Sequence, residues 1–183
     1  MNPLDLIRVY YRPGSLAYDV LVRHCEAVTA VALCLAGRVP HLVSDPGFIR
    51  EAAMLHDIGV LDTDAPQIGC FGKYPYICHG YLGRMMLEKH GLPDHARVCE
   101  RHIGAGLSAA DISAQGLPLP KRDMLPETVA EQIVCFADTF FSKTPPPAGT
   151  RRNVEEVLAA LAAHGKDKVE RFCRWLEVFG RVE

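Results

Sequence analysis

Apolar residues recur three and four positions apart along the 183-residue chain, with almost no period-two alternation, and this spacing points to helices rather than sheet. The segment from Leu16 to about Ala36 puts Leu16, Val20, Val28, Val31 and Leu35 on one stripe, with Ser15 as its cap and Gly37 as its stop. Further helices are expected from about 48 to 58, opened by Asp45-Pro46 and ended by Gly59, and from about 78 to 90, ended by Gly91. Another should run from about 94 to 103, opened by Pro93-Asp94 and ended by Gly104. Residues 60–76 read as loop, and 104–126 as a long surface excursion with one short helix near 108–115. Pro126-Glu127 opens a strong helix to about Ser142, Pro145-Pro146-Pro147 makes a stiff break, and two terminal helices follow. The expected fold class is all-α, a helical bundle with long loops in which residues 1–183 make a single domain with a C-terminal extension over about 151–182.

Hydrophobic residues make up 49% of the chain and charged residues 23%, enough to close a packed core. The net charge of −2 gives no overall basic field, so duplex nucleic acid and membrane are excluded as expected partners and the cytoplasm is the expected location. The seven cysteines are scattered with no C-x-x-C pair, so they read as small hydrophobes rather than a disulfide framework. Between Asn153 and Val182 apolar residues again keep helical spacing. Trp175 and Phe179 are large groups for a chain end to bury, which leaves packing on the bundle and a homodimer interface both open.

Six potential metal ligands fall on apolar helix faces or at helix ends. His24 lies four residues after Val20 and four before Val28, and Asp138 interrupts an apolar stripe from Ile133 to Phe141. His56-Asp57 shares a face with Ile49 and Ala53, His79 opens one helix, and His102 follows Val98 by four. Taken singly, each has a plain structural account, a core histidine bonded to a carbonyl or an aspartate bonded to backbone amides. Together they place carboxylates where an unpaired charge is costly to bury, a cost that a cation removes. Imidazoles and carboxylates without thiolates suit Fe, Mn, Co, Ni or Zn, with Mg also admissible.

The order His24, His56-Asp57 within H-D-I-G, His102 and Asp138, with His79 in C-H-G, resembles the HD superfamily of metal-dependent phosphohydrolases, in particular its small H-D-I-G members, over about residues 15–143. That resemblance implies a bundle of the HD-domain type and two divalent transition-metal ions. His24, His56, Asp57 and Asp138 would hold the first, His79 and His102 would mark the second, and Asp57 would be the bridging, catalytic carboxylate. It also implies hydrolysis of a nucleotide or other small phosphoester by a metal-activated water, with a small phosphorylated molecule as partner. Arg101 and Lys121 are the candidates for binding substrate, although a solvated surface charge is the plainer reading of each. Where many family members have Lys directly after H-D-I-G, this chain has Val60, so a mechanism that uses that lysine does not transfer. Two alternatives keep the fold: a catalytically silent, metal-containing module that binds a nucleotide or second messenger, and a di-iron oxygenase.

Overall fold

The computed structural model describes residues 1–142 and 151–182, so the expected break at Pro145-Pro146-Pro147 lies outside the described residues. Among the described residues the fold is all-α apart from one small hairpin. In order come α1 (Pro3–Tyr10), α2 (Leu16–Arg38), α3 (Pro46–Leu55), the antiparallel pair β1 (Asp64–Ala65) and β2 (Cys70–Phe71), α4 (His79–Lys89), α5 (Pro93–Arg101), α6 (Ala109–Ala114), α7 (Val129–Asp138), α8 (Val154–Ala162) and α9 (Lys166–Phe179).

The local signals set most helix starts. The Ser15 hydroxyl accepts from the Tyr18 N–H at 3.3 Å, and Asp45 accepts from the Phe48 N–H at 3.0 Å. The buried face of α2 is rotated from the expected stripe. Leu16 is exposed, and Ala17, Leu21, His24, Cys25, Val28, Ala32 and Leu35 point inward. Gly37 does not stop the helix, which runs to Arg38 and ends where Val39 precedes Pro40. Helix α7 starts later than Pro126-Glu127 suggests, because Thr128 and Glu131 form a capping box that holds its first turn. The expected loop at 60–76 contains the hairpin, whose two-residue strands are too short to leave a periodic signal.

One core lies between α2, α3, α7, α8 and α9. It includes Val28, Leu35, Ile49, Ile133, Phe136, Phe140, Phe172, Trp175 and Phe179. Trp175 and Phe179 are therefore covered by their own chain, and the ground for a homodimer at that point falls away. By length and composition α2 could cross a bilayer, a test that the core helix of a bundle also passes; here it packs against α3 and α7.

A second core joins α1 to the H-D-I-G turn through Leu6, Ile7, Tyr11, Leu55, Ile58 and Val60. Val60 faces apolar neighbours there, away from the polar cluster described below. The Tyr11 hydroxyl donates to the Ile58 carbonyl and accepts from the Leu61 N–H, both at 2.8 Å, which pins the turn from two sides. Gly59 does more than end a helix, because a methyl group on it would overlap the backbone at Gly83 N and His79 O. Backbone cannot yield as a side-chain tip can, so Gly59→Ala is expected to cost about 3 kcal/mol, the upper part of the usual overpacking range. Denaturant unfolding reads the loss as a lower midpoint, and a midpoint equal to the parent's would show that the turn and α4 can separate freely.

The long excursion from 104 to 126 folds back onto α4. Leu119, Ile112 and Met124 bury Cys78 and Leu82, and Leu107 pairs with Met124. Lys168 of α9 reaches Asp111 of α6 at 2.6 Å and ties the excursion to the C-terminal helices.

Candidate metal centre

Three helices end at one place. His56 directly follows the last residue of α3, His102 directly follows α5, and Asp138 is the last residue of α7. Helix C-termini carry partial negative charge and unpaired carbonyls, an environment that favours a cation. Those carbonyls are put to use: His56 Nδ1 donates to Ala53 O at 2.6 Å and His102 Nδ1 donates to Cys99 O at 2.7 Å. His79, the first residue of α4, donates through Nδ1 to Tyr76 O at 2.6 Å. A carbonyl can only accept, so each of these rings carries its Nδ1 proton and, when neutral, turns an Nε2 lone pair into the site.

The lone pairs of His79 and His102 face each other, and those of all three rings face carboxylate oxygens, whereas His24, with no carbonyl on its Nδ1, can carry its proton on either nitrogen. His56 Nε2 lies 3.2 Å from His24 Nε2, and His79 Nε2 lies 3.0 Å from His102 Nε2. Asp57, fully buried, divides its oxygens between the two pairs. Its Oδ2 is 3.1 Å from His24 and 3.2 Å from His56, while its Oδ1 is 3.4 Å from His79 and 3.4 Å from His102. Asp138 Oδ1 closes the first set at 3.0 Å from His24 and 3.4 Å from His56. Within each of the two sets, His24, His56, Asp57 and Asp138, and Asp57, His79 and His102, the ligand atoms all lie within 4.8 Å of one another.

Acceptors this close repel unless positive charge lies between them. Spacings of 3.0 to 3.4 Å match donors around an ion with bonds of about 2.1 Å. The residues therefore fit a divalent cation in each set, and all six sequence-expected ligands are brought together. Without an ion, a proton serves the same end. Burial by itself lowers the proton affinity of His56, but the neighbouring Asp57 carboxylate, with Cys25 and Asp138, outweighs it and raises the imidazole pKa well above its ordinary value.

Arg101 and Lys121 are not among the residues facing this cluster. The Arg101 guanidinium sits 2.9 Å from both Glu127 and Glu131 and clamps α5 to the start of α7, while Lys121 lies exposed on the excursion. Arg122 pairs with the buried Glu100, and Lys73 lies over the Tyr74 ring. Cys99 and Cys135 lie behind the ligands, donating to His56 O and His102 O; burial raises both thiols far above the range in which they ionise.

The cluster opens through His79, His102 and Asp138 onto a cavity of about 260 Å³ that Gln67, Ile68, Tyr76, Ile103, Phe141 and Ser142 complete. Sequence reasoning does not single out these residues. Gln67 and Ile68 lie between the two hairpin strands in the segment read as loop, and Tyr76 lies in the turn that leads into His79, so the fold of that segment brings all three to the cavity. A larger cavity, of about 420 Å³, lies where α3, α5 and α7 begin and is lined in part by Asp45, Asp94 and Glu131, far along the helices from the ligands.

Comparison with known proteins adds three relatives. The chain is 36% identical over 127 residues to a tRNA (cytidine(56)-2'-O)-methyltransferase of Picrophilus torridus, covering 69% of this chain and 33% of that protein. It is 31% identical over 174 residues to a tRNA (cytidine(56)-2'-O)-methyltransferase of Thermoplasma volcanium, covering 93% of this chain and 44% of that protein. An uncharacterised protein of Methanocaldococcus jannaschii is 35% identical over 133 residues, 71% of each chain. The chain thus spans less than half the length of the two relatives named for tRNA. No solved structure matches it at a significant level.

These names overturn the expectation that a small phosphorylated molecule is the only partner and that duplex nucleic acid is excluded. The exclusion rests on net charge, which sums the whole surface, whereas a nucleic acid responds to the patch it touches. The resemblance read from the H-D-I-G turn and the surrounding histidines stands. A family model described as HD domain matches residues 21–142, the span that holds all six cluster residues, and the chain belongs to the HD-domain family.

Proposed function

We propose that this chain is a metal-dependent phosphohydrolase in which His24, His56, Asp57 and Asp138 hold one divalent transition-metal ion and Asp57, His79 and His102 hold a second. The observation that carries this reading is the division of Asp57, one oxygen toward each histidine pair, in a pocket that opens onto a cavity. When bound, two divalent cations acidify a water and offset the charge that builds on a phosphoryl group during in-line displacement.

The chain's own groups prepare that chemistry. The carbonyls of Ala53, Tyr76 and Cys99 fix the imidazole tautomers and keep Nε2 aimed inward. Ile68, Ile103 and Phe141 make the cavity wall partly apolar, which limits water and strengthens electrostatic interactions inside. Gln67, Tyr76 and Ser142 supply neutral polar groups that can bind ester or phosphoryl oxygens and orient the leaving group.

The methyl transfer in the names of two relatives describes proteins of which this chain's match covers 33% and 44%. The cluster of this chain is suited to cations rather than to alkyl transfer, so the part of those names that carries over is the RNA, which becomes the first substrate class to test. The buried thiols Cys70, Cys78, Cys99 and Cys135 suit a reducing cytoplasm.

Elemental analysis of anaerobically purified protein is expected to find two transition-metal ions per chain. The loaded protein should release phosphate from, or cleave, members of a panel of nucleotides and RNA oligomers, and chelation should abolish turnover. Hydrolysis that survives complete chelation, or a fully loaded protein that cleaves nothing in the panel, would overturn the reading.

A further inference from the structure

The hairpin segment beside the cluster leaves aromatic rings in solvent. Phe71 is 80% exposed, Tyr74 39% and Tyr76 36%, whereas Phe136, Phe140, Phe172 and Phe179 are all buried. An exposed group of large apolar side chains marks a contact surface. Here the backbone beneath the rings is held firmly: Phe71 stands in β2 in register with Asp64, Gly72 N–H donates to Thr63 O at 2.9 Å, and Asp64 N–H donates to Tyr74 O at 2.8 Å. A methyl group on Gly72 would overlap the Asp62 backbone, so the segment is packed against the chain beneath it. The backbone that carries the rings is thus set in place before any partner arrives, which lowers the ordering cost of binding.

Position and chemistry narrow the partner. Tyr76 lines the cavity beside the cluster, its ring centroid 4.7 Å from that of His79. Lys73 sits 5.2 Å from the centroid of the Tyr74 ring, and the exposed carboxylates of Asp62 and Asp64 belong to the same segment. Within this segment a polyanion attracted by charge alone would meet one lysine and two carboxylates. A stable protein interface buries about 1,200–2,000 Å², more than three rings on a short hairpin can provide. Flat rings stacked face to face need neither strong charge nor large area, and the unpaired bases of a nucleic acid are flat rings.

We propose that Phe71, Tyr74 and Tyr76 form a stacking platform for unpaired bases of an RNA strand, which leads the strand's phosphoester toward the cavity. Only the placement of the phosphoester rests on the hydrolase reading; the binding of bases does not.

The test measures fluorescence anisotropy of a short labelled oligoadenylate with the full chain in the absence of added metal. Phe71→Ala and Tyr74→Ala are each expected to raise Kd about 5- to 150-fold, the value of one stacked base. Phe71→Trp should preserve binding, and Phe71→Leu, which keeps apolar area without a ring, should not. With Lys73 the one basic residue of the segment, log Kd should change with log salt by a slope of about 0.7 in magnitude, and inorganic polyphosphate should compete poorly. No binding of oligoadenylate, binding unchanged in both alanine variants, or equal displacement by polyphosphate would each overturn the platform. Ring-dependent binding without hydrolysis of any substrate would remove the hydrolase reading and leave the platform standing. Metal-dependent hydrolysis with binding indifferent to Phe71 and Tyr74 would do the reverse.

Discussion

Asp57→Ala is expected to lower turnover by well over about 100-fold and to reduce the bound metal from two ions to fewer than one per chain. The magnitude follows from position: changes to groups that only orient a ligand cost about 10- to 100-fold, and Asp57 faces both histidine pairs directly. Asp57→Asn keeps the shape but replaces one carboxylate oxygen with an NH2 donor, so it should lose one ion and most of the activity. Elemental analysis and initial rates on one preparation read both effects, and circular dichroism shows whether the variant is folded. A folded Asp57→Ala protein that keeps two ions and parental rates would mean that the ions sit elsewhere and that the cluster is only a buried proton-sharing network.

Phe136→Ala is expected to have the largest effect on stability. Its ring is fully buried and meets Phe172 at 5.0 Å, Phe140 at 5.2 Å, Phe179 at 5.9 Å and Trp175 at 6.1 Å between centroids. Removing a buried Phe costs about 3–5 kcal/mol, which for a chain of this size lowers Tm by roughly 6–20 °C. Scanning calorimetry measures the shift. The same ring ties α9 to α7, two residues before Asp138, so the variant should also bind metal less tightly at temperatures where α7 begins to loosen. A shift of a degree or two would show that α8 and α9 form a unit separate from the helices that carry the cluster.

Most helices were legible because their signals are local. Ser15 and Asp45 cap where their residue types suggest, and Gly91, at φ 71°, takes the left-handed backbone that stops the chain after α4. The all-α class follows from the three-and-four spacing, and the ligand types follow from placing histidine and aspartate on faces that should be apolar. Helix α1 is not legible in the sequence, because eight residues opened by Pro3 show too few turns for periodicity to register. Leu16 is exposed although its spacing points it inward, because the rotation of α2 is set by what α3 and α7 present to it rather than by its own sequence. Arg101 stands next to His102 in the chain, yet adjacent residues on a helix point about 100° apart, and Arg101 turns to Glu127 and Glu131.

Sequence alone determined that this chain is helical, that six imidazole and carboxylate groups sit where polar groups need a reason, and that their order is that of an HD domain. Only the tertiary structure decided that α3, α5 and α7 end together, that the two oxygens of Asp57 face different histidine pairs, and that the hairpin turn holds Gln67 and Ile68 at the mouth of the site. The physical reason is range: caps and periodicity act within a turn or two of helix, whereas the distances between His24, Asp57, His102 and Asp138 depend on how separate helices pack, a sum of many small contacts spread along the chain.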